Sequence, residues 1–206
     1  MSIDRQRHWE NVYSAKSPEE MSWYEPHLAT SLAWIEEAAS DLSAAILDVG
    51  GGASTLVDDL HASGYRSLTV LDVSEKSMAH ARRRLGAAAD AIEWITQDVT
   101  NNSLPEAAFE IWHDRAVFHF LTAQAERDAY VQRVASALKP SGHLILATFS
   151  IQGPRSCSGL PVRRYDESSI QEQFGAEFQL KKSATITHRT PAGDSQEFLY
   201  CSLARR

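Results

Sequence analysis

A regular alternation of short apolar runs and helical patterns constrains the fold more than any other feature of the sequence. Five apolar runs predict strands, at residues 44–47, 68–71, 91–95, 109–112 and 143–149. Amphipathic segments lie between most of them, the longest at residues 124–139. Alternating strands and helices are typical of right-handed βαβ units on a parallel sheet. We therefore predict an α/β fold with helices on both faces of the sheet.

The two ends of the chain have different patterns. Two longer runs, at residues 178–188 and 197–203, flank the turn signal Thr-Pro-Ala-Gly-Asp and predict an antiparallel hairpin that completes the sheet. The first 40 residues predict one or two helices and an aromatic loop. The chain has 206 residues and no internal repeat, which predicts a single domain over residues 1–206.

Composition and charge narrow the classes of function. Lys and Arg number 20 against 27 Asp and Glu, a net charge of −7, so we expect no nucleic-acid partner. No apolar run has the length of a membrane span, and the first ten residues lack the apolar core of a signal peptide. Cys157 and Cys201 lack the spacing of a disulfide framework or a zinc site. We therefore expect a cytoplasmic protein without a membrane partner.

A glycine-rich turn, DVGGGAS at residues 48–54, lies where the first strand leads into the first helix. Gly50, Gly51 and Gly52 allow the backbone to approach a ligand closely, and the helix N-terminus supplies free N–H groups. Asp72 follows at the end of the second strand, where a carboxylate can accept both hydroxyls of a ribose. The arrangement predicts a cofactor that contains adenosine.

The type of cofactor depends on Asp48 and on a missing glycine. A dinucleotide fingerprint requires G-x-G-x-x-G, but the sixth position from Gly50 is Thr55. A carboxylate at Asp48 would repel a pyrophosphate, whereas it attracts the sulfonium and ammonium groups of S-adenosylmethionine. We therefore predict S-adenosylmethionine rather than NAD.

A third acid, Asp98, follows the third strand in the sequence Thr-Gln-Asp-Val. It is placed to accept the adenine amino group, with Val99 as an apolar wall and a backbone amide donor. The alternative is that Asp98 only caps a turn. The order of three acids at three strand ends favours the binding role.

Taken together, these motifs resemble the small bacterial members of the class I S-adenosylmethionine-dependent methyltransferases. The segments ILDVGGGAS, VLDVS, TQDV and KPSGHLILATF carry the resemblance, which covers residues 43–203. It implies a doubly wound, seven-stranded, mostly parallel sheet with an antiparallel C-terminal strand. It also implies three parts: an N-terminal helical lid (1–40), a cofactor-binding core (43–150), and an acceptor side with a loop, a helix and the hairpin (151–206).

The N-terminal segment HWENVYSAKSPEEMSWYEPH resembles the part of these enzymes that closes over the cofactor. Aromatic side chains there exclude water and attract a sulfonium ion. The alternative is that Trp9 and Tyr13, four positions apart, only form the buried stripe of a helix. The predicted cofactor-binding residues are Trp9, Tyr13, Trp23, Asp48, Gly50, Gly51, Gly52, Asp72, Val73, Asp98, Val99 and His113.

Candidate catalytic residues follow the fourth strand, because the carboxyl ends of the strands face the ligand crevice. His113 and His119 are candidate proton acceptors, and Arg115 is a candidate for holding an anionic substrate. Methyl transfer needs a base only if the acceptor is protonated, so structural roles for these residues stay open. Neither histidine has metal-ligand spacing to a nearby Cys or carboxylate, and we predict no metal site.

The loop after the fifth strand leaves the same edge of the sheet. Arg155, Cys157 and Tyr165 in this region, together with Tyr24 and Arg115, are the predicted acceptor contacts. They favour a small-molecule acceptor, which is a thiol, an amine or a carboxylate; a plain solvent loop is the alternative. A protein lysine is the second hypothesis, although its cleft would need acidic walls. A non-catalytic cofactor-binding module and an NAD-dependent oxidoreductase are the remaining alternatives.

Overall fold

The computed structural model describes residues 4–101 and 104–206. Its strands are β1 (Ile46–Val49), β2 (Leu68–Asp72), β3 (Glu93–Thr96), β4 (Phe109–Arg115), β5 (Leu138–Phe149), β6 (Ser156–Cys157), β7 (Leu160–Pro161), β8 (Phe178–Arg189) and β9 (Ser195–Arg205). Seven of them form one sheet in the order β3-β2-β1-β4-β5-β9-β8, and β6 and β7 form a separate hairpin. Strands β1 to β5 are parallel, whereas β9 runs antiparallel to β5 and to β8. The predicted sheet and its C-terminal hairpin are thereby confirmed.

The helices cover both faces of this sheet. They are α1 (Arg5–Ala15), α2 (Ala29–Ala38), α3 (Leu56–Ala62), α4 (Glu75–Leu85), α5 (Gln124–Ala137) and α6 (Glu167–Phe174). Three short 3-10 helices occupy Pro18–Glu20, Gly86–Ala91 and Phe118–Phe120. None of the helices in the two described ranges is long and apolar enough to cross a membrane.

Two apolar layers hold the helices against the sheet. One layer joins α5 and α6 to one face through residues such as Trp112, Tyr130 and Phe174. The other joins α2, α3 and α4 to the opposite face through residues such as Ile35 and Leu60. Successive side chains of β1 enter opposite layers, with Ile46 and Leu47 on different faces, as the pleat of a strand requires. This confirms the predicted doubly wound architecture.

The order of the strands positions the ligand crevice. The chain winds outward from β1 to β2 and β3, then returns to place β4 on the other side of β1. Ligands of open α/β sheets bind outside the carboxyl ends of the strands at such a reversal. Asp48 and His113 are register partners on β1 and β4 next to this point, so their side chains are neighbours on one face.

Some element boundaries differ from the predicted ones. Helix α5 ends at Ala137 rather than at 139, and β5 begins at Leu138 rather than at 143. The Pro140-Ser141-Gly142 stretch therefore lies within β5, where Ser141 adopts a left-handed φ of +62°. Gly142 is required there because a Cβ atom would lie 2.9 Å from the Glu110 carbonyl oxygen on the neighbouring strand. The third strand begins at Glu93 rather than at 91, because the alanine-rich stretch before it forms a 3-10 helix.

A buried hydrogen-bond chain links the sheet to α5. The Trp112 indole N–H donates to the Tyr130 hydroxyl at 3.0 Å, and this hydroxyl donates to Asp114 at 2.6 Å. Asp114 also accepts from the backbone amides of Val117 and Phe118. Burial nevertheless raises the pKa of Asp114 to about 6. Asp114 therefore has a structural role in fixing the turn after β4.

The Tyr130→Phe variant should be less stable than the wild type by about 1–3 kcal/mol, because Trp112 and Asp114 each lose a buried partner. In a chain of this size each kcal/mol lowers the melting temperature by about 2–4 °C. Urea unfolding and thermal melting measure both quantities. The control Tyr65→Phe changes a tyrosine that is not part of this hydrogen-bond network, and it should have a smaller effect. Equal stability of wild type and Tyr130→Phe would contradict the structural role.

Candidate functional site

A cavity opens at the carboxyl ends of β1, β2 and β4. This first cavity has about 860 Å³ of empty space, part of which is open solvent at its mouth. An adjoining second cavity has about 510 Å³ and shares Tyr13, Trp23, Gly50 and Arg115 with the first. Of the predicted site residues, the following line one or both: Trp9, Tyr13, Trp23, Tyr24, Asp48, Gly50, Gly51, Asp72, Val73, Asp98, Val99, His113, Arg115 and Cys157.

Asp48 is the most constrained acid of the site. Its Oδ1 atom accepts a hydrogen bond from His113 Nδ1 at 2.7 Å, and His113 Nε2 lies 2.9 Å from the Ser31 hydroxyl. Both ring nitrogens of His113 are therefore engaged, and the ring orients Asp48 instead of acting as a free base. The Asp48 Oδ2 atom is buried and has no partner among the described residues. A buried carboxylate oxygen requires a donor, which the ammonium group of S-adenosylmethionine would supply.

Two glycines of the turn are required by close contacts. Gly50 has φ +70°, and a Cβ atom there would lie 2.1 Å from Val117 Cγ2. A Cβ atom at Gly51 would lie 2.3 Å from Asp48 Oδ2. The backbone at the turn can therefore approach a ligand only without side chains.

Gly52 does not line either cavity. A Cβ atom there would collide with Ser77 Oγ at 2.0 Å and with Asp72 Oδ2 at 2.4 Å. Its amide donates to Asp72 Oδ2 at 3.1 Å. Gly52 thus supports Asp72, and the structure does not bring it into contact with the space for a ligand.

Asp72 lies at the end of β2 and lines the first cavity. Its two oxygens accept from the amides of Gly52 and Ser74, the latter at 2.8 Å. Burial raises the pKa of Asp72 to about 6, and the nearby Asp48 charge adds to this effect. Bonds from the two amides and from the Ser77 side chain oppose the rise but do not cancel it. A ribose at this carboxylate would supply further donors.

Asp98 is held from two sides after β3. Its Oδ1 atom accepts from the amide and hydroxyl of Thr100 at 2.8 and 2.6 Å, and its Oδ2 atom accepts from Arg5 at 3.2 Å. Burial acts to raise the pKa of Asp98, but these bonds and the Arg5 charge outweigh it and hold the pKa below its usual value. Arg5 also contacts Glu126 on α5, so Asp98 connects the start of α1 to the body of the protein.

The N-terminal segment (residues 4–25) covers the cavity with aromatic side chains. Trp9 packs edge-on against Trp23 and Phe120, with ring centroids 5.8 and 5.2 Å apart. Tyr13 packs against Trp23 at 6.4 Å, and burial raises the pKa of its hydroxyl far above the usual value. Tyr13 is buried and Trp9 is half-buried in one apolar cluster, and both rings also line the first cavity.

Two charged side chains hold the end of the N-terminal segment. Arg115 donates to the Trp23 carbonyl oxygen at 2.8 Å and to Glu25 at 2.7 Å. His188 lies 2.7 Å from Glu25 through Nδ1 and 2.8 Å from the Ser22 carbonyl oxygen through Nε2. We call Glu25, Arg115 and His188 the charge cluster. His188 and Glu25 are absent from the sequence-based predictions because only the folded hairpin brings them together.

Arg5 was also not predicted, although its spacing to Trp9 is a local signal for it. It precedes Trp9 by four positions, so both lie on the face of α1 that lines the first cavity. Phe120, Phe149 and Phe198 are further cavity residues that the sequence reasoning did not single out.

Three other predicted residues lie away from both cavities. His119 is fully buried, accepts from the Phe149 amide at 3.2 Å, and has a pKa lowered to about 3 by burial and by Arg115. Tyr165 is 1% exposed and packs on Phe118 at 5.3 Å. Arg155 is exposed at the start of the β6–β7 hairpin. The structure thus gives His119 no access to an acceptor and gives Tyr165 a core position.

Among the predicted acceptor contacts in the loop after β5, Cys157 lines the first cavity, whereas Arg155 and Tyr165 do not. Burial raises the pKa of this thiol, so it is not a ready nucleophile. Within residues 4–101 and 104–206, no three His, Cys, Asp or Glu side chains are arranged to hold a metal ion.

Part of the chain that forms this site matches a known protein family. Residues 46–142, which contain the glycine turn and all three strand-end acids, match a family described as a methyltransferase domain. This part of the chain is a methyltransferase domain. The match confirms the predicted S-adenosylmethionine-dependent methyltransferase and its Rossmann-like fold.

One relative of the chain is a much longer methyltransferase. The eEF1A lysine and N-terminal methyltransferase of Bos taurus is 22% identical over 180 residues, which are 81% of this chain and 26% of that protein. The chain thus spans about a quarter of the length of that relative.

Two solved structures share the fold of the methyltransferase. The N-methyltransferase NodS from Bradyrhizobium japonicum, in complex with S-adenosylhomocysteine, has a TM-score of 0.73 at 14% identity, covering 98% of this chain and 99% of that chain. The 1,6-didemethyltoxoflavin-N1-methyltransferase of Burkholderia thailandensis, with its acceptor and S-adenosylhomocysteine bound, has a TM-score of 0.70 at 19% identity. The match covers 97% of this chain and 83% of that chain.

The raised pKa of Asp72 predicts a pH dependence of stability. The pKa rises from 3.8 to about 6 on folding, so the folded state holds the proton more tightly in this range. The associated stability is complete below pH 3.8 and is lost as the pH rises through about 6. The free energy of unfolding of the wild type, minus that of Asp72→Asn, should therefore fall by about 1–3 kcal/mol between pH 4 and pH 7.

Urea unfolding of both proteins without ligand at several pH values measures this difference. Asp90→Asn, which changes an exposed acid, is the matched control and should give a nearly constant difference. A constant difference for Asp72→Asn as well would contradict the raised pKa.

Proposed function

We propose that this methyltransferase transfers the methyl group of S-adenosylmethionine to a small-molecule acceptor, which is a thiol, an amine or a carboxylate. The observation that carries the proposal is the buried Asp48 Oδ2 atom, which has no partner within the described residues and lies beside Gly51 at the edge of the second cavity. This anionic group fits a cationic cofactor and disfavours a pyrophosphate.

The three acids divide the cofactor between them in this proposal. Asp48 and the backbone at Gly50 and Gly51 would hold the amino acid end, and Asp72 would accept the ribose hydroxyls. Asp98 and Val99, with Val73, would surround the adenine. When bound, S-adenosylmethionine supplies a methyl group already activated by the sulfonium. The protein then acts by orienting the two reactants and excluding water.

The N-terminal segment acts as a lid in the proposed function. Arg5 ties its beginning to Asp98, and the charge cluster ties its end to β4 and β8. Trp9, Tyr13 and Trp23 then close the cavity, and their rings favour a nearby sulfonium. Since the lid contacts Asp98, cofactor binding and closure would stabilise each other.

Two observations favour a small acceptor. The first cavity is covered by the lid and walled by aromatic side chains. The structural neighbour 1,6-didemethyltoxoflavin-N1-methyltransferase, which covers 97% of this chain, holds the small molecule 1,6-didemethyltoxoflavin. A protein lysine is the second candidate, because eEF1A lysine and N-terminal methyltransferase is a relative over most of the chain. The Arg115 cation at the cavity disfavours it, since a lysine ammonium would be repelled.

We also propose a cytoplasmic setting. Cys157 and Cys201 are both free thiols, and Cys201 is buried. Unpaired thiols persist in a reducing compartment. With a net charge of −7, the chain is proposed to act without a nucleic-acid partner.

Calorimetry tests the cofactor directly. The chain should bind S-adenosylhomocysteine and show no comparable binding of NAD. Asp72→Ala should weaken S-adenosylhomocysteine binding by about tenfold or more, because two bonds to a charged acceptor are lost. The control Asp90→Ala removes an exposed acid and should leave the affinity unchanged. Binding of NAD alone, or an unchanged affinity of Asp72→Ala, would contradict the proposed function.

A further inference from the structure

We propose that the acceptor is a flat aromatic molecule that reacts as an anion, as a thiolate or a carboxylate, with its charge beside Arg115. This inference rests on the proposed function and narrows it, because it sets amines and protein lysines aside. It follows from three features of the first cavity. These are the aromatic walls at the end away from Asp72 and Asp98, the charge cluster, and the lack of a proton acceptor among the described residues at that end.

The strand order separates the two ends of the first cavity. Asp72 and Asp98 belong to the β2 and β3 side of the sheet, whereas Phe149 and Phe198 belong to β5 and β9 on the opposite side of β1 and β4. Trp23 and Phe120 complete this second end, which we call the acceptor end. Once the acids hold the cofactor, the space that remains is walled by four aromatic rings. Flat aromatic molecules stack favourably in such a space.

The charge cluster places an arginine at this end. The Ser22 carbonyl oxygen can only accept, so His188 Nε2 donates to it. Glu25 lies 2.7 Å from His188 Nδ1 and accepts from Arg115 at 2.7 Å. The Glu25 carboxylate is thus shared between a histidine and Arg115.

Arg115 is the cation of the cluster that lines both cavities. Its side chain is 6% exposed, its Nε atom has no partner within the described residues, and its guanidinium lies 4.8 Å from the Phe198 ring centre. A buried donor without a partner is costly. An anionic acceptor beside Nε would supply that partner, whereas an ammonium has no lone pair to accept with and adds a second positive charge.

The acceptor end offers no ready base. Burial raises the pKa of both Tyr13 and Cys157, so neither ionises readily to accept a proton. Burial also acts on Glu25, but the bonds to His188 and Arg115 outweigh it and hold its pKa below the usual value. Among the described residues that line this end, none can therefore deprotonate an alkylammonium near neutral pH. An acceptor that is already an anion needs no such help.

The methyl transfer to such an anion is balanced without the transfer of a proton. A lone pair of the thiolate or carboxylate forms the new bond to the methyl carbon while the carbon–sulfur bond of the sulfonium breaks. The electron pair of that bond stays on the donor sulfur, which leaves a neutral thioether and a neutral methylated acceptor. Both the anionic and the sulfonium charge are lost in the step, as a dry aromatic cavity favours.

A panel of acceptors with labelled S-adenosylmethionine tests the inference. Thiophenol and benzoate, which ionise at neutral pH, should be methylated, and which of the two reacts identifies the nucleophile. Benzylamine and a lysine peptide should not. Benzyl mercaptan should react slowly, with a rate that rises about tenfold per pH unit below its own pKa, because the protein supplies no base. The thiophenol rate should change little above neutral pH.

Two variants change the charge cluster in opposite directions. Arg115→Met should raise the KM of the anionic acceptor by about tenfold. Glu25→Gln keeps the shape but removes the negative charge, and should lower that KM. Arg83→Met changes an exposed arginine of α4 and is the matched control. Circular dichroism shows that each variant is folded, and binding of S-adenosylhomocysteine, measured in parallel, separates an effect on the acceptor from an effect on lid closure.

The failures of the two proposals are distinguishable. If S-adenosylhomocysteine does not bind the wild type, the proposed function itself fails. If it binds but benzylamine or the peptide lysine is the preferred acceptor, only the anionic acceptor is overturned. The same holds if Arg115→Met weakens cofactor binding and leaves the KM of the anion unchanged, because Arg115 would then serve the cofactor.

Discussion

The pairing of Asp48 with His113 is the interaction on which the rest of the site depends. The two residues are register partners on β1 and β4, and their hydrogen bond crosses the point where the winding of the sheet reverses. His113 is fixed in turn by Ser31 on α2, which contacts the Tyr200 hydroxyl on β9 at 3.2 Å. Four elements therefore hold one carboxylate whose second oxygen has no partner in the described part of the chain. That arrangement is costly without a cationic ligand and is compensated by one.

The lid connects the two ends of the ligand space. At one end Arg5 contacts Asp98, the acid assigned to adenine, and at the other the charge cluster holds residues 22–25 near the aromatic walls. In the proposed function, this single segment would respond to the cofactor and to the acceptor. Arg115 holds Trp23 of the segment and lines the cavity, so closure of the lid would also place a charge there.

The sequence alone was sufficient to predict the features that depend on local patterns of residues. Strand periodicity and the turn signal predicted the sheet and the hairpin, and the acids Asp48, Asp72 and Asp98 each follow a strand. The position of Glu25 against His188 depends on a contact 163 residues along the chain, which no local pattern encodes. His119 and Tyr165 were placed near the correct edge, but their side chains turn into the core. Proximity in sequence to a strand end therefore located the edge and left the side-chain direction undetermined.

The central claim is that the free oxygen of Asp48 holds the ammonium group of the cofactor, and one calorimetric comparison tests it most directly. Asp48→Asn keeps an acceptor for His113 but removes the charge. Its affinity for S-adenosylhomocysteine should fall by about tenfold or more. Its affinity for 5′-methylthioadenosine, which has the adenosine but no amino acid, should match that of the wild type. An equal loss for both ligands, or a loss for neither, would contradict the assignment of Asp48.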